Sequence, residues 1–194
     1  MIGTGKSTVS SMFMDQNIPV WDADKNVHKI YKKDGTGYKA LTAKFPNLIN
    51  NVAIDRNQLS KMIQKKETTL DDIESIIHPL LSLERDKFIN KYRSYSLVAF
   101  DIPLLFETKA DTWLDAVLLV NCSKQTQRKR LLKRRNLNER KIKILVSRQN
   151  LYMEKRNKSH FFIDSDKNLN EMKKDVLLII KIIKEKYFVE RSGS

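Results

Sequence analysis

Two textures of apolar residues alternate along this chain. Compact runs, short enough to be strands buried on both faces, occur at Ile18-Pro19-Val20-Trp21, Leu97-Val98-Ala99-Phe100, Ala116-Val117-Leu118-Leu119-Val120 and Phe161-Phe162-Ile163. Between them apolar residues recur at helical spacing. Residues 6–16 predict a helix with Val9, Met12 and Phe13 on its apolar face, ended by Asn17. Pro19 then falls at the start of a strand, where a missing N–H is tolerable. A second helix opens at Asp22-Ala23-Asp24 and runs to about Lys33; acidic residues suit such a start. Asp34-Gly35-Thr36-Gly37 reads as a turn, residues 38–45 as a helix, and Pro46-Asn47 as its break. Asp55 reads as the cap of a helix reaching about Lys66. The long helical stretch 69–92 contains His78-Pro79, which predicts a break or kink. Residues 124–135 and 138–156 predict two basic helices. In the last helix, 168–187, Met172, Val176, Ile179, Ile180, Ile183 and Tyr187 share one face. Residues 191–194 read as a tail outside the fold.

Strands alternating with helices imply an α/β fold whose parallel sheet is covered on both faces. Ligands of such sheets bind beyond the carboxyl ends of the strands. A length of 194 residues suits one domain, or one domain with an inserted lobe, and 41% hydrophobic content supplies a sizeable core. The single cysteine, Cys122, excludes a disulfide framework and a cysteine zinc site, and suits a reducing compartment. No apolar run reaches the roughly 18 residues of a membrane span, and no signal peptide is visible, so a cytoplasmic protein without a membrane partner is expected. The formal charge of +14 attracts polyanions. Lysine is spread throughout, however, and only residues 128–143 pack basic side chains densely.

Gly3-Thr4-Gly5-Lys6-Ser7-Thr8 forms most of a G-x-x-x-x-G-K-[ST] phosphate loop. Glycines allow a tight bend that turns N–H groups toward an anion, and the following helix adds its positive end. Lys6 is placed to reach the β- and γ-phosphates of a bound nucleotide, and the Ser7 hydroxyl to ligate Mg²⁺. The pattern asks for its first glycine one residue before Met1, and for a strand before that. The natural protein is therefore expected to start upstream by roughly ten residues, one short strand plus the glycine.

Phosphoryl transfer also needs carboxylates and cations. Asp22 and Asp24 follow a strand directly, where one could take the acceptor's proton and the other support the metal; helix capping is the plainer alternative. Asp101 closes an apolar strand, as a metal-holding carboxylate or as an ordinary turn residue. Arg130 and Arg134, four apart on one helical face, fit a lid over phosphates or a solvated basic helix. Arg56 could touch a substrate phosphate or pair locally with Asp55. His78 has no metal-ligand neighbours and suits a structural or substrate-lining role. Trp21, Phe106 and Trp113 read as core, and Cys122 shows no activating partner.

Taken in order, the phosphate loop, Asp22-Ala23-Asp24, Asp55-Arg56 with Leu59, His78-Pro79, Asp101-Ile102-Pro103-Leu104-Leu105-Phe106-Glu107, and Gln127 with Arg130 and Arg134 resemble dephospho-CoA kinase. Gln149 and Lys155 fit that family's later segment, and the resemblance runs from Gly3 to about Asp164. It implies an ATP- and Mg²⁺-dependent enzyme that phosphorylates the ribose 3′-hydroxyl of dephospho-CoA, giving CoA and ADP. It implies a three-layer α/β/α phosphate-loop fold over residues 1–190. Within it lie a core (about 1–30, 95–125 and 158–190), a helical CoA-binding lobe (about 31–94) and a lid (about 126–157). By the same match Asp24 is the catalytic base, working with Lys6, Arg130 and Arg134. Gly3 to Thr8 bind ATP, and Ser7 and Asp101 hold the metal. Asp22, Arg56, His78, Pro103, Leu104, Leu105 and Glu107 line the acceptor side. A monomer or weak oligomer without nucleic acid is expected.

The chain departs from the family pattern near its end. Ser159-His160 stand where Ala-Asp is usual, and Ser165 where Asn is usual; these positions bear on the adenine side. Three rival readings remain: another small phosphate-loop kinase acting on a nucleoside or nucleotide, a basic nucleic-acid-binding module, and a non-catalytic relative.

Overall fold

The structure is a computed structural model that describes residues 2–50, 53–66, 68–133, 142 and 152–189. In chain order the first elements are α1 (Lys6–Met14), β1 (Val20–Asp22), α2 (Ala23–Tyr31), α3 (Thr36–Lys44), β2 (Ile49–Asn50) and β3 (Ala53–Ile54). Then follow α4 (Arg56–Gln64), α5 (Leu70–Lys91), β4 (Ala99–Asp101), β5 (Leu118–Asn121), α6 (Lys124–Leu132), α7 (Tyr152–Asn157), β6 (Phe161–Asp164) and α8 (Leu169–Val189). They fall into two compact units, Met1–Val20 with Tyr95–Ser194, and Trp21–Ser94.

The first unit is built on strands with helices against them. β5 and β6 run parallel, with Leu118 opposite Phe161 and Asn121 opposite Asp164. The Ala99 N–H donates to the Pro19 carbonyl at 2.8 Å, tying β4 to the segment that enters β1. Among the described residues β4 and β5 share no ladder. The core joins Val9, Met12 and Phe13 of α1 to Val120, Ile163 and the α8 stripe of Met172, Val176, Ile179 and Ile180. That stripe is the helical periodicity read from the sequence, now seen packed. Ile163 and Val176 are each 1% exposed, and burying such a side chain contributes about 1.5–3 kcal/mol.

The second unit is helical, with a short antiparallel pair, β2 and β3, that the sequence pattern did not announce. Its core is Ile30, Tyr31, Leu41, Leu48, Ile54, Leu59, Ile73 and Ile77. Glu84 of α5 accepts from Lys29 of α2 at 2.6 Å and from Lys87 at 2.7 Å. The hydrogen bond from Lys29 chiefly, and that from Lys87, hold its carboxyl below the ordinary value.

Of the break or kink expected at His78-Pro79, the break does not occur: α5 continues through Pro79. A proline inside a helix costs about 3 kcal/mol, but two features offset it. Thr69 and Asp72 form a reciprocal capping box at the helix start. Ile73 and Ile77 are buried at 4% and 5%, each contributing about 1.5–3 kcal/mol. His78 and Pro79 lie on the exposed side, where water can satisfy the carbonyl that proline leaves without a donor. Among the described residues no helix is long and apolar enough to cross a membrane.

Candidate functional site

The phosphate loop is held from behind by its own carbonyls. The Gln127 side chain donates from Nε2 to the Ile2 carbonyl at 2.7 Å. The Cys122 thiol lies 3.9 Å from the Gly3 carbonyl, and burial pushes this thiol up, so it keeps the proton it donates. The Ser165 hydroxyl donates to the Thr4 carbonyl at 2.7 Å. Three consecutive carbonyls thus point toward α6 and the ends of β5 and β6.

Glycine is required at two of these positions. Gly3 has φ +73°, and an added Cβ would lie 3.0 Å from Leu131. Gly5 has φ +94°, and its Cβ would lie 3.1 Å from the Ser165 hydroxyl and 3.4 Å from Arg130 Nη1. Gly5 is also the N-cap of α1, whose first turn has no side-chain cap and no acidic residue. A helix start left in this state favours an anion.

Lys6 and Asp101 meet at the head of the loop. Lys6 Nζ lies 2.8 Å from Asp101 Oδ1, and Ser10 Oγ donates to the other carboxylate oxygen at 2.9 Å. The sequence offered no signal for Ser10, which sits 91 residues from its partner. Thr4 is 1% exposed, while Ser7 stands exposed in the first turn of α1.

At the loop's other shoulder Arg130 donates from Nη1 to Ser165 Oγ at 2.7 Å and from Nη2 to the Ser165 carbonyl at 2.8 Å. Asp166 accepts from the Ser123 N–H at 2.6 Å, fastening the end of β6 to the start of α6. The Thr126 hydroxyl first, and then this N–H, hold its carboxyl below the ordinary range.

The segment Pro103 to Glu107 leaves β4 in the same unit, with Leu104 55% exposed. Glu107 pairs with the buried Lys155 of α7 at 2.5 Å. Burial pushes the Glu107 carboxyl up, but the Lys155 hydrogen bond and charge outweigh it and leave the group below its ordinary value.

Of the other expected residues, Asp22, Asp24, Arg56 and His78 belong to the second unit. Asp22 caps α2, accepting from the Lys25 N–H at 2.9 Å. Asp24 is exposed in that helix's first turn. Arg56 opens α4 and His78 lies exposed on α5. Arg134 and Gln149 lie outside the described residues. Of the residues that depart from the family pattern, His160 Nδ1 accepts from the Val117 N–H at 3.1 Å, and the Ser159 hydroxyl donates to the Lys155 carbonyl at 2.7 Å.

The donors present suit a hard cation. A hydroxyl at Ser7 and a carboxylate at Asp101 are oxygen ligands of the kind Mg²⁺ takes alongside phosphates. Among the described residues no group of three or more His, Cys, Asp or Glu could hold a metal. A cation shared with substrate phosphates needs no such cage.

A glycine bend at a helix start, a lysine paired with a strand-end carboxylate, and parallel strands under helices define a phosphate-loop nucleotide-binding protein. The comparisons narrow that class. A model of the dephospho-CoA kinase family matches residues 1–171, and the chain belongs to that family. The dephospho-CoA kinase of Jannaschia sp. (strain CCS1) is 39% identical over 184 residues, covering 95% of this chain and 94% of the relative. That of Bartonella henselae is 36% identical over 182 residues, covering 93% of each. Among solved structures, a Thermus thermophilus protein superposes with a TM-score of 0.78 at 23% identity, covering 93% of this chain and 92% of its own. The dephospho-CoA kinase from Campylobacter jejuni has a TM-score of 0.67 at 24% identity, covering 95% and 94%. These two support the fold.

Proposed function

We propose that this protein transfers the γ-phosphoryl group of ATP to the ribose 3′-hydroxyl of dephospho-CoA, giving CoA and ADP. The family match over residues 1–171 carries the reading. The ion pair of Lys6 and Asp101 at the head of the loop supports it.

Each residue has a chemical task. Loop N–H groups and Lys6 cradle the β- and γ-phosphates, drawing Lys6 from Asp101 toward the nucleotide. Asp101 and the Ser7 hydroxyl would hold Mg²⁺, which would supply charge neutralisation at the phosphates. Asp24 accepts the proton of the 3′-hydroxyl as its oxygen bonds to phosphorus. The bond from phosphorus to the β–γ bridging oxygen breaks, and ADP departs with those electrons. Arg130 and Arg134 add positive charge on the lid side, residues 126–157. We assign residues 31–94 to the acceptor lobe, and acceptor-binding roles to Asp22, Arg56, His78, Pro103, Leu104, Leu105 and Glu107. We place the enzyme in the cytoplasm, acting on small molecules.

A coupled ADP-release assay with ATP, Mg²⁺ and dephospho-CoA tests this. ADP formed in step with CoA is the expected result. ADP formed with a nucleoside monophosphate and none with dephospho-CoA would assign the chain to another kinase class.

A further inference from the structure

We infer that Ser165 is a positioning residue for the nucleotide, acting through Arg130. This rests on the kinase reading only in taking ATP as the ligand of the loop.

Ser165 is 2% exposed and sits just past β6. Every polar atom it owns is committed. Its N–H donates to the Asn121 carbonyl at 2.8 Å, which continues the β5–β6 ladder and fixes its backbone. Its hydroxyl hydrogen goes to the Thr4 carbonyl at 2.7 Å. Its hydroxyl and carbonyl oxygens take the two terminal nitrogens of Arg130, at 2.7 and 2.8 Å. One small residue therefore joins three parts of the site: the strand end, the phosphate loop and α6.

The consequence for Arg130 is geometric. Two bonds from one planar guanidinium to one rigid residue fix the plane as well as the position of the charge. That charge sits beside Gly5, the start of α1, with Nη1 3.4 Å from where a Cβ at Gly5 would be. The sequence suggested a lid arginine that closes over the phosphates. In the structure its guanidinium is held by Ser165 through both terminal nitrogens. Its rotamer freedom is lost on folding and need not be lost on binding. The two N–H groups spent on Ser165 are a minority of the five an arginine carries, so donors remain for phosphate oxygens. The serine that departs from the usual asparagine is thus a working part of the loop's frame.

The test is a double-mutant cycle read by titration of a fluorescent ATP analogue, without turnover. Ser165→Ala removes the hydroxyl bridge but keeps the carbonyl acceptor, so Arg130 can pivot. The analogue's Kd is expected to rise about tenfold, the loss of one charge-assisted bond. In an Arg130→Met background the same serine change is expected to add less than about twofold, since no guanidinium is left to place. In the wild-type background KM for ATP should rise with Kd, while KM for dephospho-CoA stays within about twofold. A full tenfold effect that survives in the Arg130→Met background would overturn the inference and assign Ser165 to the loop alone. An unchanged Kd for Ser165→Ala would overturn it as well. Should Ser165→Ala fail to fold, Ser165→Cys, whose thiol is a weak hydrogen-bond partner, carries the test through the same cycle: a weakening of Kd that vanishes in the Arg130→Met background supports the inference, and one that survives there overturns it. Since Kd is read without the acceptor, absence of CoA formation would sink the kinase reading and leave this inference standing.

Discussion

Replacing Gly5 by alanine probes both reasons for a glycine there. The first is backbone conformation. At φ +94° and ψ 14° the residue lies in left-handed space, which costs a residue with a Cβ roughly 1–3 kcal/mol. The second is room. The new Cβ would stand 3.1 Å from Ser165 Oγ, 3.2 Å from Ser165 Cβ and 3.4 Å from Arg130 Nη1. Ser165 cannot give way cheaply, because its backbone and hydroxyl are all bonded. Crowding of this kind costs about 1–3 kcal/mol. Together the penalty is about 2–6 kcal/mol, and it must appear somewhere measurable. If the fold bears it, the melting temperature of the nucleotide-free protein drops by roughly 5–20 °C, at about 2–4 °C per kcal/mol for a chain of this size. If the loop rearranges instead, melting is spared and the strain appears as weaker ATP binding. A penalty of about 2 kcal/mol would raise Kd near 30-fold. Thermal melting and titration of a fluorescent ATP analogue, on the same preparation, capture both routes. A variant within about 1 °C in melting and twofold in Kd would show that Gly5 is neither strained nor crowded, and the account of the loop would fail.

Three other outcomes are expected. Asp24→Asn should lower turnover by about 10²–10⁴, the usual worth of a general base, with the ATP analogue's Kd nearly unchanged; a turnover within about threefold of wild type removes Asp24 from the role. Lys155→Met should let the Glu107 carboxyl titrate upward, because burial pushes it up and the lysine that outweighs burial is gone; an unmoved Glu107 titration by NMR would contradict the pairing. The Asp72 carboxyl is lowered to about 2, first by the Thr69 N–H and hydroxyl and then by Lys44. Its folded value lies below its unfolded one, so its stabilisation of the α5 start is complete above about pH 3.8 and fades as pH falls toward 2. Acid unfolding followed by circular dichroism should show this dependence in the wild type and lose most of it in Asp72→Asn; identical acid profiles would refute the capping argument.

Much of the frame was legible because it is local. The α8 stripe could be read from spacing alone, and so could the compact runs at β4, β5 and β6, since helix and strand periods are properties of neighbouring residues. The glycine bend with Lys6 and Ser7 was legible for the same reason: the chemistry of a phosphate loop lies within one short segment. Even the capping alternative for Asp22 could be written down in advance, and Asp22 does cap α2.

What only the folded chain decided was how distant segments share polar atoms. Asp101 meets Lys6 across 95 residues, and Ser165 meets Thr4 across 161. No pattern along the chain encodes such a meeting, because it depends on where β4 and β6 end relative to the loop. Ser165 looked like a departure and Cys122 like a bystander until their partners turned out to be loop carbonyls. Pro79 shows the converse. Its local chemistry argued for a break, but burial of Ile73 and Ile77 and a capped start outweighed a local preference worth only a few kcal/mol. Sequence fixes which groups are available within a few residues of each other; tertiary packing chooses the partners, because hydrogen bonds between remote segments become favourable only after the core has brought them together.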